Sequence, residues 1–257
     1  MTKTRLDLLL VERALAPSRA RAQAYVLAGR VFVEGKRVDK PGAPISEASV
    51  IDVRGPDHPY VSRGGVKLSG ALDAFAVDVR GLRCLDVGAS TGGFTDCLLQ
   101  RGAAQVVAVD VGYGQLAHKL RTDPRVVVRE RTNARTLSAE VIGGVVDLTV
   151  VDASFIGLGH LMPAIARCTR GGGLLVAMVK PQFEVGREEA SRGRGVVRDE
   201  AVRSEAIERA ILAIRDAGYT VTQTCDSVLS GPRGNREAFV RAERSRDLPG
   251  DTNPPPL

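Results

Sequence analysis

Several residue types are scarce in this chain of 257 residues, which has no tryptophan, four tyrosines, six phenylalanines, three histidines and four cysteines. The cysteines, at positions 84, 97, 168 and 225, form no Cys-x-x-Cys pair, and the histidines lie far apart along the sequence. Neither pattern is typical of a zinc site, so we expect no bound metal. Residues 1–10 show no export signal, and we therefore expect reduced thiols and a cytoplasmic location.

Long apolar runs are also missing. The stretches Leu8–Val11 and Gly171–Val179 end at charged residues, and both are much shorter than the ~20 apolar residues that a membrane-spanning helix needs. Apolar residues make up 44% of the chain and charged residues 26%. That mixture is typical of a globular protein and argues against a disordered chain, and we expect no stable membrane association.

Positive charge is concentrated near the start of the chain. Residues 1–64 contain eleven basic and seven acidic residues, so this quarter of the chain carries +4 of the total charge of +6. A small segment with most of the excess charge suggests contact with a polyanion such as RNA. A basic surface that only faces solvent is the alternative that charge alone leaves open.

The same segment has the pattern of a small α+β unit. Thr4 can cap a first helix, and Ser18 can cap a second helix over Arg19–Ala28, with Gly29 as its left-handed end. A short hairpin and a strand at Val50–Val53 follow. We expect a domain over 1–57 and a linker over 58–65, where prolines and glycines interrupt the periodicity.

Apolar strands alternate with amphipathic helices in the second part of the chain, which predicts a parallel sheet with helices on both faces. We place this domain at 66–246. Its predicted strands are Cys84–Val87, Val106–Val111, Val126–Arg129, Asp147–Asp152, Leu174–Val179, Thr220–Asp226 and Ala238–Ala242. We expect residues 247–257 to be a disordered tail, and the glycine-rich segment Glu184–Arg198 to be mobile until it meets RNA.

A nucleotide-type cofactor site is predicted where the first of these strands ends. The strand ends in Asp86 and leads into a glycine turn over 88–93, and the next strand ends at Asp110. Small residues let backbone N–H groups approach a ligand, and an acid at the second strand end can accept hydrogen bonds from ribose. The Gly-x-x-x-Gly-Gly spacing favours S-adenosylmethionine over NAD. A tight structural turn and an NAD dehydrogenase remain the alternatives.

Charged residues at the later strand ends are candidates for catalysis. Asp152 and Lys180 each follow a predicted parallel strand, so both should face one cleft at the carboxyl edge of the sheet. Lys67 is predicted at the start of a helix, where a cation opposes the helix dipole and needs a compensating charge. Glu237 opens the last strand. Taken singly, each could be a surface charge.

These residues resemble known families. The segments Arg5-Leu6-Asp7, Ser18–Ala22 and Gly29–Gly35 resemble the S4 RNA-binding domain, and Leu85–Phe94 resembles the first motif of class I methyltransferases. The series Lys67, Asp152, Lys180 and Glu237 resembles the tetrad of FtsJ-like ribose 2′-O-methyltransferases. Over about residues 4–244, the arrangement resembles the TlyA family of rRNA cytidine-2′-O-methyltransferases, also called hemolysin A.

The resemblance implies a Rossmann-like class I methyltransferase domain with a seven-stranded sheet, preceded by an α+β S4 domain. The tetrad would be catalytic, with Lys180 held between Asp152 and Glu237. The cofactor-binding candidates are Asp86, Gly88, Ala89, Ser90, Thr91, Gly92, Gly93, Asp110, Asn133 and Asp152. The loop of Asn133 would meet adenine, although a plain helix-capping asparagine is equally compatible with the sequence. The RNA-binding candidates are Arg5, Arg19, Arg21, Arg30, Lys36, Arg37 and Arg63.

The implied activity is S-adenosylmethionine-dependent 2′-O-methylation of cytidine in 16S and/or 23S rRNA, with an effect on sensitivity to ribosome-targeting antibiotics. The partners would be ribosomal RNA or ribosomal subunits, and we expect a monomer. Two other functions are considered. A pore-forming hemolysin needs spanning or amphipathic segments that the buried, helix-alternating strands do not provide. A non-catalytic RNA-binding assembly factor is opposed by the presence of the glycines and all four tetrad residues.

Overall fold

The computed structural model describes residues 3–55, 58–185, 195–231 and 234–246. The chain divides into two compact units, Met1–Pro59 and Tyr60–Leu257. The predicted tail over 247–257 and most of the predicted mobile segment, residues 186–194, lie outside the described residues. In the described part of the chain, no helix has the length and apolar character required to cross a bilayer.

The described part of the first unit, residues 3–55 and 58–59, contains two helices and five short strands. They are β1 (Lys3–Arg5), α1 (Leu6–Glu12), α2 (Arg19–Leu27), β2 (Val31–Val33), β3 (Lys36–Arg37), β4 (Pro44–Ser46) and β5 (Ile51–Val53). Strand β1 pairs with β4, and β3, β2 and β5 form a three-stranded antiparallel sheet. A small core, formed mainly by Leu6, Leu10, Ala22, Val26 and Val31, holds the helices and the sheet together.

Two local predictions for this unit have different outcomes. The Ser18 side chain accepts a hydrogen bond from the backbone N–H of Arg21, which confirms the predicted cap of the second helix. The predicted Thr4 cap is wrong. Thr4 lies in β1, and the first helix starts at Leu6 without a side-chain cap. Thr4 lies in a strand because β1 pairs with β4. The first N–H groups of the helix, those of Leu6 and Asp7, donate instead to the backbone carbonyls of Ala43 and Pro41.

The second unit is an α/β layer structure. Its helices are α3 (Arg63–Ala74), α4 (Gly93–Gln100), α5 (His118–Arg121), α6 (Ala139–Ile142), α7 (Met162–Cys168), α8 (Pro181–Glu184) and α9 (Glu200–Asp216). Its strands are β6 (Arg83–Val87), β7 (Gln105–Val109), β8 (Val126–Arg129), β9 (Val146–Val151), β10 (Thr169–Val179), β11 (Tyr219–Asp226) and β12 (Ala238–Arg244). Buried aliphatic clusters pack on both sides of the sheet strands, as a doubly covered sheet requires.

The seven strands form one sheet in the order β11-β12-β10-β9-β6-β7-β8, which confirms the predicted seven-stranded α/β domain. The prediction of a parallel sheet is wrong at one edge, because β12 runs antiparallel to both β10 and β11. The connection from β11 to β12 contains no helix in the described residues, and a connection of that kind favours antiparallel neighbours. The sheet is therefore mixed.

This topology determines which chain segments meet at one edge. The end of β6 pairs with the end of β9 (Val87 beside Val151), so the residues that follow both strands are neighbours. The end of β10 pairs with the start of β12 (Val179 beside Ala238). Because β12 is antiparallel, Glu237 at its start lies at the same edge as Lys180 after β10.

Helix α3 begins earlier than predicted. It starts at Arg63, inside the predicted 58–65 linker, so Lys67 lies in the second turn and not at the helix start. Two consecutive glycines predict an interruption of the helix. Gly65 is instead buried against Tyr60, and a Cβ at position 65 would lie 2.3 Å from the Tyr60 ring. The glycines serve close packing here and the helix continues through them.

Candidate active site

The glycine turn follows β6 and approaches the neighbouring strand end closely. Gly88 has a φ of 87°, and a Cβ at this position would lie 2.9 Å from the carbonyl oxygen of Asp152 and 3.1 Å from the Cα of Ala153. A residue other than glycine would be strained by the backbone angle and would also push this strand end away. The turn therefore requires glycine at 88.

Asp110 organises the other wall of this turn. Its Oδ2 accepts a hydrogen bond of 2.8 Å from the backbone N–H of Ser90, and its Oδ1 accepts one of 2.7 Å from that of Gly112. Each carboxylate oxygen has a second lone pair that can accept a further hydrogen bond. Asp110 is therefore held in place and still has acceptor capacity for a ligand hydroxyl.

A cavity of about 370 Å³ opens between these strand ends. Of the predicted cofactor residues, Gly88, Ser90, Asp110, Asn133 and Asp152 line it. Its walls also include residues that sequence reasoning did not select: Gly112, Gln115, Thr132, Ala153 and Ser154. Their only sequence signal is proximity to strand ends, since each lies a few positions after β7, β8 or β9.

The rest of the predicted turn does not line the cavity. Ala89 is buried and hydrogen-bonds to the carbonyl of Val109, and Thr91 is exposed. Gly92 and Gly93 pack closely on side chains of α5 and of the segment before α3. These residues shape the turn, and a direct contact of theirs with a cofactor stays a prediction. Asn133 lines the cavity and also caps the following 3-10 turn, which confirms its role as a cap, and its contact with adenine stays a prediction.

Asp86 lies behind the turn and is completely buried. Its Oδ2 accepts hydrogen bonds from the backbone N–H and the hydroxyl of Thr95, whereas its Oδ1 has no hydrogen-bond partner among the described residues. Burial raises the pKa of Asp86 to about 7, against the opposing effect of the Thr95 hydrogen bonds. Thr95, in the first turn of α4, is a positioning residue that the sequence did not reveal.

The four tetrad residues form two ion pairs. Lys180 Nζ lies 2.6 Å from Asp152 Oδ1, and Lys67 Nζ lies 2.5 Å from Glu237 Oε2. The Lys67 and Glu237 side chains are only 9% and 2% exposed. The tetrad is one cluster, because the charges of Lys67 and Glu237 both affect the pKa of Asp152, which burial raises despite the nearby Lys180.

The pairing differs from the prediction. Glu237 forms its ion pair with Lys67 and not with Lys180. Lys180 is held by the carboxylate and the backbone carbonyl of Asp152, and its Nζ donates a hydrogen bond of 2.7 Å to the hydroxyl of Ser154. The buried Lys67 ammonium requires a nearby anion, and in this fold Glu237 provides it. Ser154 was not predicted, although it lies only two positions after Asp152.

The predicted RNA-binding residues differ in their surroundings. Lys36 and Arg37 are exposed in β3, and Arg30 lies over the Tyr25 ring at 4.4 Å. Arg21 lies over the same ring at 5.6 Å. Arg5 and Arg19 instead bind the carboxylate of Asp7. The seventh candidate, Arg63, belongs to the second unit as the first residue of α3.

These features fit S-adenosylmethionine. The Gly88 turn lies so close to the Asp152 strand end that a Cβ is excluded, and Asp110 can accept hydrogen bonds from a ribose. The unpartnered oxygen of Asp86 can complement a cationic amino group. Two solved structures have a similar fold over 68% and 71% of this chain, with TM-scores of 0.51 and 0.54 at only 16% and 13% identity. They are an S-adenosylmethionine-dependent methyltransferase from Mesorhizobium loti and a candidate one from Listeria monocytogenes.

Residues 60–244 match the FtsJ-like methyltransferase family, and residues 4–51 match the S4 domain. A relative from Mycobacterium tuberculosis, named 16S/23S rRNA (cytidine-2′-O)-methyltransferase TlyA, is 48% identical over 249 residues, which cover 96% of this chain and 92% of the relative. Hemolysin A from Brachyspira hyodysenteriae is 40% identical over 234 residues, which cover 91% of this chain and 97% of the relative.

A solved structure described as a candidate hemolysin from Streptococcus thermophilus superposes with a TM-score of 0.74 at 39% identity and covers 97% of this chain and 93% of that one. These matches confirm the S4 and methyltransferase predictions. Because the FtsJ-like match spans well over half of the residues and the relatives align over nearly the whole length, the chain belongs to the TlyA family of FtsJ-like methyltransferases with an S4 domain.

Proposed function

We propose that this protein transfers a methyl group from S-adenosylmethionine to the 2′-hydroxyl of a cytidine in 16S and/or 23S ribosomal RNA. The observation that carries the proposal is the position of Asp152, which lines the cavity beside Gly88 and also holds Lys180. The lysine–carboxylate cluster therefore adjoins the candidate cofactor site. The choice of cytidine and of rRNA follows the activity named for the Mycobacterium tuberculosis relative.

The chain has groups suited to hold each part of the cofactor. Asp110 would accept hydrogen bonds from ribose hydroxyls, and Asn133 would face adenine from the cavity wall. The unpartnered oxygen of Asp86, buried behind the turn, would attract the amino group of the methionine moiety. Glycine at 88 lets the turn lie close to the Asp152 strand end, which keeps both on the wall of the cavity. When bound, S-adenosylmethionine supplies an electrophilic methyl group on a sulfonium centre.

Lys180 acts on the nucleophile. A ribose 2′-hydroxyl is hardly ionised at neutral pH and attacks poorly without help. Lys180 Nζ, fixed by Asp152 and Ser154, donates a hydrogen bond to the hydroxyl oxygen and directs its lone pair; in its neutral form it accepts the hydroxyl proton. Alignment of the attack supplies much of the rate.

The Lys67–Glu237 pair is the other half of the cluster. The pair is buried and its two charges neutralise each other. Its fixed charges contribute to the electrostatic field at Asp152, and its side chains fill the space beside that residue. The first unit supplies RNA affinity through its exposed basic residues, in agreement with its net positive charge and its S4 match. RNA capture and chemistry are thus assigned to different units of the chain.

The test compares Lys180→Ala with the wild type, using labelled S-adenosylmethionine and separate small and large ribosomal subunits, followed by mapping of the modified nucleotide. We expect a 2′-O-methylcytidine with the wild type and a loss of at least about 100-fold in turnover for the variant, with cofactor affinity retained. Arg80→Ala, which removes a basic side chain that is 79% exposed on the surface of the same unit, is the control and should keep full turnover. Absence of transfer by the wild type to any rRNA would favour the non-catalytic assembly factor.

A further inference from the structure

A buried carboxylate organises two of the basic residues in the first unit. Asp7 lies in the first turn of α1 and is fully buried. Arg5 approaches it side-on, with Nε 3.0 Å from Oδ1 and Nη2 3.0 Å from Oδ2. Arg19, from the start of α2, places its Nε 3.0 Å from the same Oδ2. Gln23, one turn further along α2, donates to Oδ2 at 2.8 Å.

The two arginines differ from ordinary buried ion-pair partners. Their side chains are 49% and 54% exposed, although the carboxylate between them is inaccessible. A guanidinium has five N–H donors, and Asp7 occupies only two of Arg5 and one of Arg19. Within the described residues, no other hydrogen bond engages the remaining donors. The Arg5 guanidinium also lies over Gly42, where a Cβ would come within 3.3 Å of its Nη atoms.

We infer that Asp7 is a positioning residue that sets Arg5 and Arg19 as one preorganised site for the phosphate backbone of RNA. A single anion offsets the repulsion between two cations that must lie close together. It also fixes two long side chains before binding, so that their conformational entropy is not lost when RNA arrives. The three residues together still carry a net charge of +1. Hydrogen bonds from Arg5, Gln23 and Arg19 hold the pKa of Asp7 well below its usual range, so the carboxylate stays charged under all assay conditions.

This inference rests on the proposed RNA substrate. For the change in RNA affinity caused by Asp7→Asn, it predicts the opposite sign from a simple count of charges. Asp7→Asn adds one positive charge to the unit, so charge alone predicts tighter RNA binding. Positioning predicts weaker binding, because both arginines become mobile. Ordering one long side chain on binding lowers affinity by about two- to tenfold. With Arg5 and Arg19 both mobile, we expect RNA affinity to fall by about tenfold.

The experiment measures binding of the full-length chain to a structured rRNA fragment by filter binding over a salt series. The matched control is Glu12→Gln, which makes the same charge change at an exposed residue at the end of α1. We expect Glu12→Gln to bind as well as the wild type or slightly better, and Asp7→Asn to bind about tenfold more weakly. Equal behaviour of the two variants would overturn the inference.

A second comparison avoids the buried site in case Asp7→Asn impairs folding. Arg19→Lys and Arg21→Lys both keep the charge on the exposed face of α2, but only Arg19 is fixed by Asp7. We expect the Arg19 variant to lose several-fold in affinity and the Arg21 variant to lose little. Similar losses would refute positioning by Asp7. If neither these variants nor Arg5→Ala with Arg19→Ala affects binding, the assignment of RNA capture to this unit fails instead.

Discussion

Removal of one partner from the buried Lys67–Glu237 pair should destabilise the second unit strongly. Glu237→Gln leaves an ammonium that is only 9% exposed without its counter-charge, since the partner carboxylate lies 2.5 Å away. Loss of one partner of a buried ion pair typically costs about 3–5 kcal/mol in the free energy of unfolding. For a unit of this size that corresponds to a decrease in Tm of about 10 °C.

The matched control is the ion pair between Asp78 and Arg80, which lies on the surface of the same unit with side chains 58% and 79% exposed. Asp78→Asn should leave the Tm close to that of the wild type, because solvent screens such a pair. Both variants are to be measured by calorimetry of the full-length chain, with and without S-adenosylmethionine.

A double variant separates charge from shape. Lys67→Met combined with Glu237→Gln removes both charges and should recover most of the lost stability, because no buried charge is left unpaired. Its methyl transfer should remain low if the pair supplies the field around Asp152. The reasoning is refuted if Glu237→Gln lowers the Tm no more than Asp78→Asn, or if the double variant is less stable than Glu237→Gln alone.

Three further outcomes can be measured. Gly88→Val should abolish cofactor binding by calorimetry while circular dichroism shows a folded chain, because its Cβ would lie 2.9 Å from a backbone oxygen; unchanged affinity would remove this turn from the site. The pKa of Asp86 is raised to about 7, so the fold disfavours its charged form. Without cofactor, the free energy of unfolding should therefore fall as the pH rises from about 4 through 7. Cofactor affinity should rise over pH 6–8, and a rise that persists in Asp86→Asn would contradict its contact with the amino group. Changing Arg19, Arg21 and Lys36 together to Ala should flatten the slope of log affinity for RNA against log salt by roughly two to three units, and an unflattened slope would place RNA capture elsewhere.

The positions of the site residues along the strands could be predicted from the sequence. Strand periodicity can be recognised in short segments, and ligands bind at the carboxyl ends of parallel strands. These two rules predict that Gly88, Asp110, Asp152 and Lys180 lie at one edge of the sheet. The family resemblance supplied the remaining tetrad members. These predictions need only local pattern and the general topology of an α/β sheet.

The choice of partner for each charged side chain was decided by the tertiary structure alone. Lys67 and Glu237 are 170 positions apart, and they meet because β12 turns back antiparallel beside β10. The same applies to Asp7, whose carboxylate appears in the sequence as one more negative charge and in the fold binds Arg19 from another helix. A sequence pattern shows which residue types follow one another along a single helix or strand. An ion pair depends on distances of a few ångströms between different elements, and the packing of the whole unit determines those distances.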